Sequence, residues 1–137
     1  MDIVGFFSAD HFAAQAGIKV IEVRLGYARC SMTVDERHLN AANTVQGGAI
    51  FTLADFCAAL AANSHGKVAV SSNADIHFIK GGVSGDTLYA EARERFLHKS
   101  TSVYQVEVHN QNGDLIALFE TGLYRKEHPT PFDALTD

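Results

Sequence analysis

The sequence predicts an α+β domain. One long central helix is wrapped by a curved antiparallel sheet of five or six strands, with a short helix at the N-terminus. Three observations predict it. The run Gln46 to Asn63 is rich in Ala and Leu, holds no proline and opens on two glycines, so it reads as helix. Ile50, Phe51, Leu53, Ala54, Phe56, Cys57, Leu60 and Ala61 leave that helix no continuous polar face, and such a helix is buried rather than laid on a surface. Strand-like segments on either side of it supply the sheet that a helix this apolar needs as cover.

Taken in order, Ser8 to Ala16 reads as a short helix with Ser8 as its cap and Gly17 as its stop. Ile18–Leu25 and Ala28–Val34 read as strands about a Gly26-Tyr27 turn. In the second, Ala28, Cys30, Met32 and Val34 alternate with Arg29, Ser31 and Thr33, the period of a half-buried strand. Asp35 to Val45 is polar and delivers the chain to the central helix. Asn63-Ser64-His65-Gly66 stops that helix. Strands are then predicted over Val68–Ile79, Thr87–Leu97, Thr101–Asn110 and Leu115–Arg125. The strand Thr87–Leu97 bears Arg93, Glu94 and Arg95 and so has a solvated face. Asn112-Gly113 predicts a tight hairpin with both residues at positive φ. Residues 1–126 thus form one domain. The tail, 127–137, holds both prolines and little apolar surface, and is expected to be loose.

Composition narrows the function. The 137 residues suffice for one real core. Apolar content of 47% and charged content of 20% are ordinary for a globular protein. A net charge of −5 argues against nucleic-acid binding. Cys30 and Cys57 lack the spacing of a disulfide scaffold or a zinc site, and no metal is expected. The N-terminus has no basic region and only a very short apolar run, so the default expectation is a reducing, cytoplasmic setting. The central helix approaches membrane-spanning length, but Asp55 lies in its middle and no basic flank precedes it.

Asp55 needs an explanation. A carboxylate in an apolar helix costs several kcal/mol, on the order of 2–7 for an unpaired polar group, unless it is paired, neutral or useful. It lies eight residues beyond Gly47, roughly 12 Å along the axis at about 1.5 Å per residue, too far to be a cap or to feel the helix dipole. It either bonds a neighbouring strand or serves chemistry. At the other end, Gln46-Gly47-Gly48 offers unpaired backbone N–H groups and close approach, which an oxyanion requires. The plain alternative is that the glycines only turn the chain. If both features act, the same distance forbids one carbonyl from meeting both within one chain. A two-fold dimer would bring Gly47 of one subunit to Asp55 of the other, giving two equivalent sites. Metalloprotease, nucleophile-elbow and nucleotide-binding motifs are all missing, and the histidines, His65 and His77 among them, are scattered. Cys57 has no base near it in sequence and reads as core.

Asn40, the run Gln46-Gly47-Gly48-Ala49-Ile50-Phe51-Thr52-Leu53-Ala54-Asp55, then Ala62-Asn63-Ser64-His65-Gly66 and Gly85-Asp86-Thr87-Leu88 together resemble the hotdog-fold acyl-CoA thioesterases of the PaaI-like, phenylacetate-degradation type. The likeness runs from about Gly17 to Arg125. It implies the wrapped-helix fold, homodimers often paired into homotetramers, and hydrolysis of an acyl-CoA thioester with no further cofactor. It implies Asp55 as nucleophile or general base, the Gly47 N–H as carbonyl polariser, and Asn40 as a helper that positions water or substrate. It places Gln46, Gly48, Lys80, Gly81, Gly82 and Lys99 along the substrate. Two positions depart from the pattern. Gln46 stands where the family usually has His, so that side chain cannot titrate near neutral pH. Gly81 stands where proline is common, which loosens the turn that would meet coenzyme A. Because coenzyme A is anionic and the chain is acidic, a local basic patch is required; Lys80, Arg93, Arg95 and Lys99 are the candidates, and a solvated strand face explains them equally well. The rival readings are a non-catalytic acyl-CoA binder, which has no need of a buried carboxylate, and a hotdog dehydratase, which would want a His in or just before the helix.

Overall fold

The computed structural model describes residues 1–136. Two short helices, α1 (Ile3–Phe7) and α2 (His11–Gln15), lead into strands β1 (Lys19–Arg24) and β2 (Tyr27–Thr33). A 3-10 turn, Glu36–His38, precedes the central helix α3 (Gly47–Asn63). Strands β3 (Lys67–Phe78), β4 (Thr87–Leu97), β5 (Thr101–His109) and β6 (Leu115–Pro129) complete a six-stranded sheet in the order β1-β2-β4-β5-β6-β3, antiparallel throughout. The sheet wraps α3. This is the wrapped helix that the apolar run required. Among the described residues no helix is long and apolar enough to cross a membrane.

Small side chains let the helix lie directly on the sheet. Ala54, Ala58 and Ala61 of α3 are buried, as are Ala28, Ala90, Ala92 and Ala117 of the strands. The approach is close enough for the Cys57 thiol to donate to the Ala28 carbonyl at 3.3 Å. Cys57 and Cys30 are both free and buried, and burial pushes the Cys57 thiol well above its ordinary range, so it stays protonated as a core residue. The end of α3 is tied by Asn63, whose amide donates to Ala59 O and Ala69 O and accepts from Ala69 N. Ser64 Oγ receives the Gly26 N–H at 2.8 Å, and Glu94 collects the Tyr104 hydroxyl and the His65 ring. These bonds hold β1–β2 and β4–β5 on the closed end of the helix.

Three local expectations are corrected. The short helix expected over Ser8–Ala16 is present as α2 but starts at His11 with Asp10 as its cap, accepting from Ala13 N; Ser8 instead ends an additional helix, α1, whose start Asp2 caps by accepting from Gly5 N. Asn112-Gly113 is not a two-residue turn with both residues at positive φ. Gly113 alone has positive φ (81°), and the loop is closed by Asn110, whose Oδ1 accepts from Asn112 N and Asp114 N. A side chain has taken the place of turn geometry. Within the segment expected to be a loose tail, the described residues 127–136 lie on the body: β6 runs through Pro129, Phe132 is buried with its ring 5.6 Å from Phe6, and Leu135 N donates to Ser64 O.

Candidate active site

The start of α3 is built by its own cap. Gln46 is the N-cap, and its side-chain oxygen accepts the Gly48 N–H. A Cβ on Gly48 would meet that oxygen at 2.6 Å, so a larger residue here would push the Gln46 side chain off its cap position. Gly48 therefore offers no free donor, contrary to the expectation that both glycines would. The Gly47 N–H, first in the helix, has no acceptor among the described residues. A Cβ there would stand 3.0 Å from the Phe78 ring, so glycine also lets β3 close against the helix start. The outcome is one backbone donor at the positive end of a helix dipole.

Asp55 lies two turns further along, half-buried. It accepts one hydrogen bond from a side chain, from Ser71 Oγ at 3.3 Å. Burial pushes its carboxyl above the ordinary range, the Ser71 hydroxyl pulls it part of the way back, and the Asp10 charge adds to the rise. With a single weak donor from the chain, this half-buried carboxylate keeps acceptor capacity for a ligand or a water. Gly48, Thr52, Asp55 and Ala59 make the stripe of α3 that the sheet leaves uncovered.

The strand beside this stripe explains why Ser71 is not legible in the sequence. Ala69 and Ser71 of β3 face the helix, pairing with Arg125 and Leu123; beyond a bulge between Ser71 and Asn73, the inward residues become Ala74, Ile76 and Phe78. One extra residue exchanges the two faces. The buried Thr121 hydroxyl lies 3.4 Å from Ser71 Oγ but gives its one proton to Asn73 O at 2.9 Å, so Ser71 keeps its own proton for Asp55. The only signal available is the polar Ser71-Ser72-Asn73 run that separates the apolar Val68-Ala69-Val70 from the alternating Ala74 to Phe78. Ser71→Ala is expected to cut turnover about tenfold, in line with the loss of one charge-assisted bond. The same change should move the acidic limb of the pH–rate profile upward, because the bond it removes lowers the Asp55 pKa; an unmoved limb would mean that Ser71 does not position the carboxylate.

The other predicted residues divide into two groups. Asn40 organises the 40–44 loop: its Oδ1 accepts from Ala42 N and Thr44 N and its Nδ2 donates to Thr44 Oγ1. Asn43, at φ 62°, is the turn that results. Gly82 accepts from Val45 N, and a Cβ on it would meet Val45 at 2.7 Å, so the Lys80–Gly82 loop packs beside the chain entering α3. Lys80 Nζ reaches Asp114 at 2.7 Å, holding that carboxyl below its ordinary range. Lys99 lies elsewhere. Its carbonyl accepts from Lys67 Nζ at the start of β3, at the opposite end of the strand from Phe78. Arg93 stacks toward Tyr27 on the outer face of the sheet. Within one chain, the basic candidates do not converge. Among the described residues no group of three or more His, Cys, Asp or Glu side chains could hold a metal.

This arrangement is similar to known proteins. The sequence profile of the thioesterase superfamily matches residues 42–117. The chain is 40% identical over 119 residues to the acyl-coenzyme A thioesterase PaaI of Escherichia coli K12, covering 87% of this chain and 85% of that one. The structure of the E. coli PaaI protein from the phenylacetic acid degradation operon superposes with a TM-score of 0.89 at 38% identity, covering 91% of each chain. The smu.793 protein of Streptococcus mutans UA159, solved bound to acetyl CoA, superposes with a TM-score of 0.80 at 27% identity over 82% of this chain and 91% of that one. A profile that spans the loop before α3, the helix and the strands through β6's start, on a sheet that wraps one buried helix, leads to one conclusion: this chain is a hotdog-fold member of the thioesterase superfamily.

Proposed function

We propose that the protein hydrolyses acyl-CoA thioesters at a site shared by two copies of the chain, with the Gly47 N–H of one copy polarising the thioester carbonyl and the partner's Asp55 attacking that carbonyl or activating a water. The observation that carries this reading is a pair of groups on α3 that the chain leaves open to a ligand. An N–H without an acceptor and a carboxylate with one weak donor stand two helical turns apart, too far to serve the same carbonyl in one chain. In the nucleophilic route the Asp55 carboxylate displaces coenzyme A thiolate to give an anhydride, which water then opens to acid and free carboxylate. In the general-base route Asp55 takes a proton from water as the hydroxide adds to the carbonyl, and the thiol leaves with a proton. The relatives support the substrate class: one is named an acyl-CoA thioesterase, and another was solved with acetyl CoA. Thiol release from a panel of aryl, short-chain and long-chain acyl-CoAs tests the activity. A single turnover in isotopically heavy water separates the routes, since label in Asp55 marks the anhydride.

β3 supports the two-fold arrangement. It is a sheet edge of 12 residues, bonded only to β6, and its residues from Val70 to Asp75 are exposed. Exposed edges of that length invite pairing with another strand. Gly47 lies against Phe78 and Asp55 against Ser71. Antiparallel pairing of two β3 strands with Phe78 opposite the partner's Ser71 therefore delivers the partner's Asp55 to Gly47. That register sets Ala74 beside the partner's Asp75 at the two-fold axis. It also carries the partner's Lys99 toward the Lys80 end of this chain, which would assemble the basic patch that coenzyme A phosphates need and that one chain lacks. Pairing of dimers into tetramers would add to this without altering the site. Ala74→Arg places two guanidinium groups at the axis. It is expected to shift the protein to single-chain mass in sedimentation and to cost at least about tenfold in turnover, through like-charge repulsion at an interface. A monomer with full activity would refute the shared site.

A further inference from the structure

A groove of about 680 Å³ runs beside the start of α3, walled by Phe12 of α2 and the Ala16 that caps its end, by Leu39, and by Gly48, Ala49 and Thr52 of α3. Most of its polar groups are engaged by the chain, the Gln15 side-chain amide and Gln46 Nε2 at its rim excepted. Thr52 Oγ1 donates to Gly48 O at 2.7 Å, and Gln46 Oε1 takes the Gly48 N–H. Arg37 is turned to Gln15 O and Asp35. His38 accepts the Asp35 N–H on Nδ1, so its Nε2 carries the proton and donates to Ala16 O at 2.6 Å. What is left facing the groove is mainly the apolar surface of Phe12, Ala16, Leu39 and Ala49, which suits an apolar ligand. The Phe12 ring closes the open side and is 73% exposed, although the helix beneath it is held firmly by the Asp10 cap and by the Arg37 and His38 bonds.

The groove shares Gln46 and Gly48 with the helix start that presents the Gly47 N–H. On the other flank of Gly47 lie Phe78 and the Lys80–Gly82 loop. A thioester whose carbonyl rests on the Gly47 N–H therefore has two exits, one apolar and one beside a lysine. We infer that the acyl group enters the groove between α2 and α3, and that Phe12 sets the bulk of acyl group the enzyme accepts. This rests on the hydrolase reading above and adds a specificity-determining residue to it. The thiol side of the substrate, which bears the phosphates, takes the other exit.

The test measures kcat/KM for acetyl-, hexanoyl- and decanoyl-CoA with the unmodified protein, with Phe12→Ala, and with Ala49→Leu. Phe12→Ala opens the wall and should raise the decanoyl-to-acetyl ratio about tenfold or more, the scale on which one apolar contact discriminates. Ala49→Leu fills the floor and should lower the same ratio by a similar factor. Phe12 is exposed, so its removal should leave the melting temperature unchanged, and each variant's melting temperature is recorded alongside. Turnover that persists in folded variants with unaltered ratios overturns the groove assignment, including the case in which a partner side chain fills the groove. Failure of the unmodified protein to release thiol from any of the three substrates overturns the hydrolase reading instead.

Discussion

Asp55→Asn is expected to abolish turnover by about a thousandfold and at the same time to make the protein more stable at neutral pH. The first effect follows from the removal of a group that is asked to attack or to accept a proton, a role worth roughly a hundred- to ten-thousandfold in rate. The second follows from the direction of its pKa. Burial, with the Asp10 charge, raises the Asp55 pKa in the folded state against its value in the unfolded chain. The folded protein then binds this proton more tightly than the unfolded chain does. As pH rises from the unfolded pKa through the folded one, the unfolded chain has lost the proton while the folded protein still holds it, so the stability contribution falls across that window and stays low above it. An amide in the same place accepts the Ser71 hydroxyl and carries no charge to desolvate. Melting temperatures of the two proteins should coincide near the bottom of the carboxylate range and diverge as pH rises, with the Asp55→Asn protein bearing the advantage at pH 7. A variant that melts lower than the unmodified protein at pH 7 would show that the carboxylate is held for structure. The acidic limb of the unmodified enzyme should likewise fall above the ordinary carboxylate range.

The expected stability gain also explains what the sequence makes legible. A lone carboxylate in an apolar run is visible because it violates the composition around it, and the glycine pair is visible because it precedes a run of helix formers. Both are local features, and both lie on α3 as the run predicts. The features that escape a reading of the sequence depend on contacts distant in the chain. Ser71 reaches Asp55 only because a bulge turns part of β3 over, and period-two alternation cannot register an inserted residue. Gln46 caps the helix through its own side chain, which removes Gly48 from the donors although the residue type is unchanged. Asn110 closes a loop in which Asn112-Gly113 suggests a tighter turn. Lys80 and Lys99 read as one basic set in the sequence, yet they lie at opposite ends of β3. Only a two-fold operation on the β3 edge would reunite them; the spacing of Gly47 and Asp55 calls for a second chain, but the register in which two β3 strands pair is not written in the sequence.

Gly47→Pro is expected to retain the fold and lose about a hundred- to a thousandfold in turnover, and mixing it with Asp55→Asn is expected to restore activity that neither protein has alone. Proline is well suited to the first position of a helix, where its missing N–H has no partner and its φ is already helical. The preceding residue, Gln46, has φ −64° and ψ 133°, the extended conformation that proline demands of its neighbour. The ring would press on Phe78, a side chain 54% exposed and free to turn aside. What the change deletes is a single donor aimed at the carbonyl oxygen, and loss of one such donor costs about a hundred- to a thousandfold. If the site joins Gly47 of one chain to the partner's Asp55, a mixed dimer holds one site with both lesions and one with neither. Random exchange at equal amounts makes half the dimers mixed, so about a quarter of unmodified activity should return. Unfolding and refolding the two variants together, then assaying thiol release against each refolded alone, measures it. A site confined to one chain predicts no recovery at any mixing ratio, because every chain in the mixture would carry a lesion in its own site. The same preparation separates assembly from chemistry: if sedimentation shows mixed dimers and no activity returns, the shared-site mechanism fails even though the dimer stands.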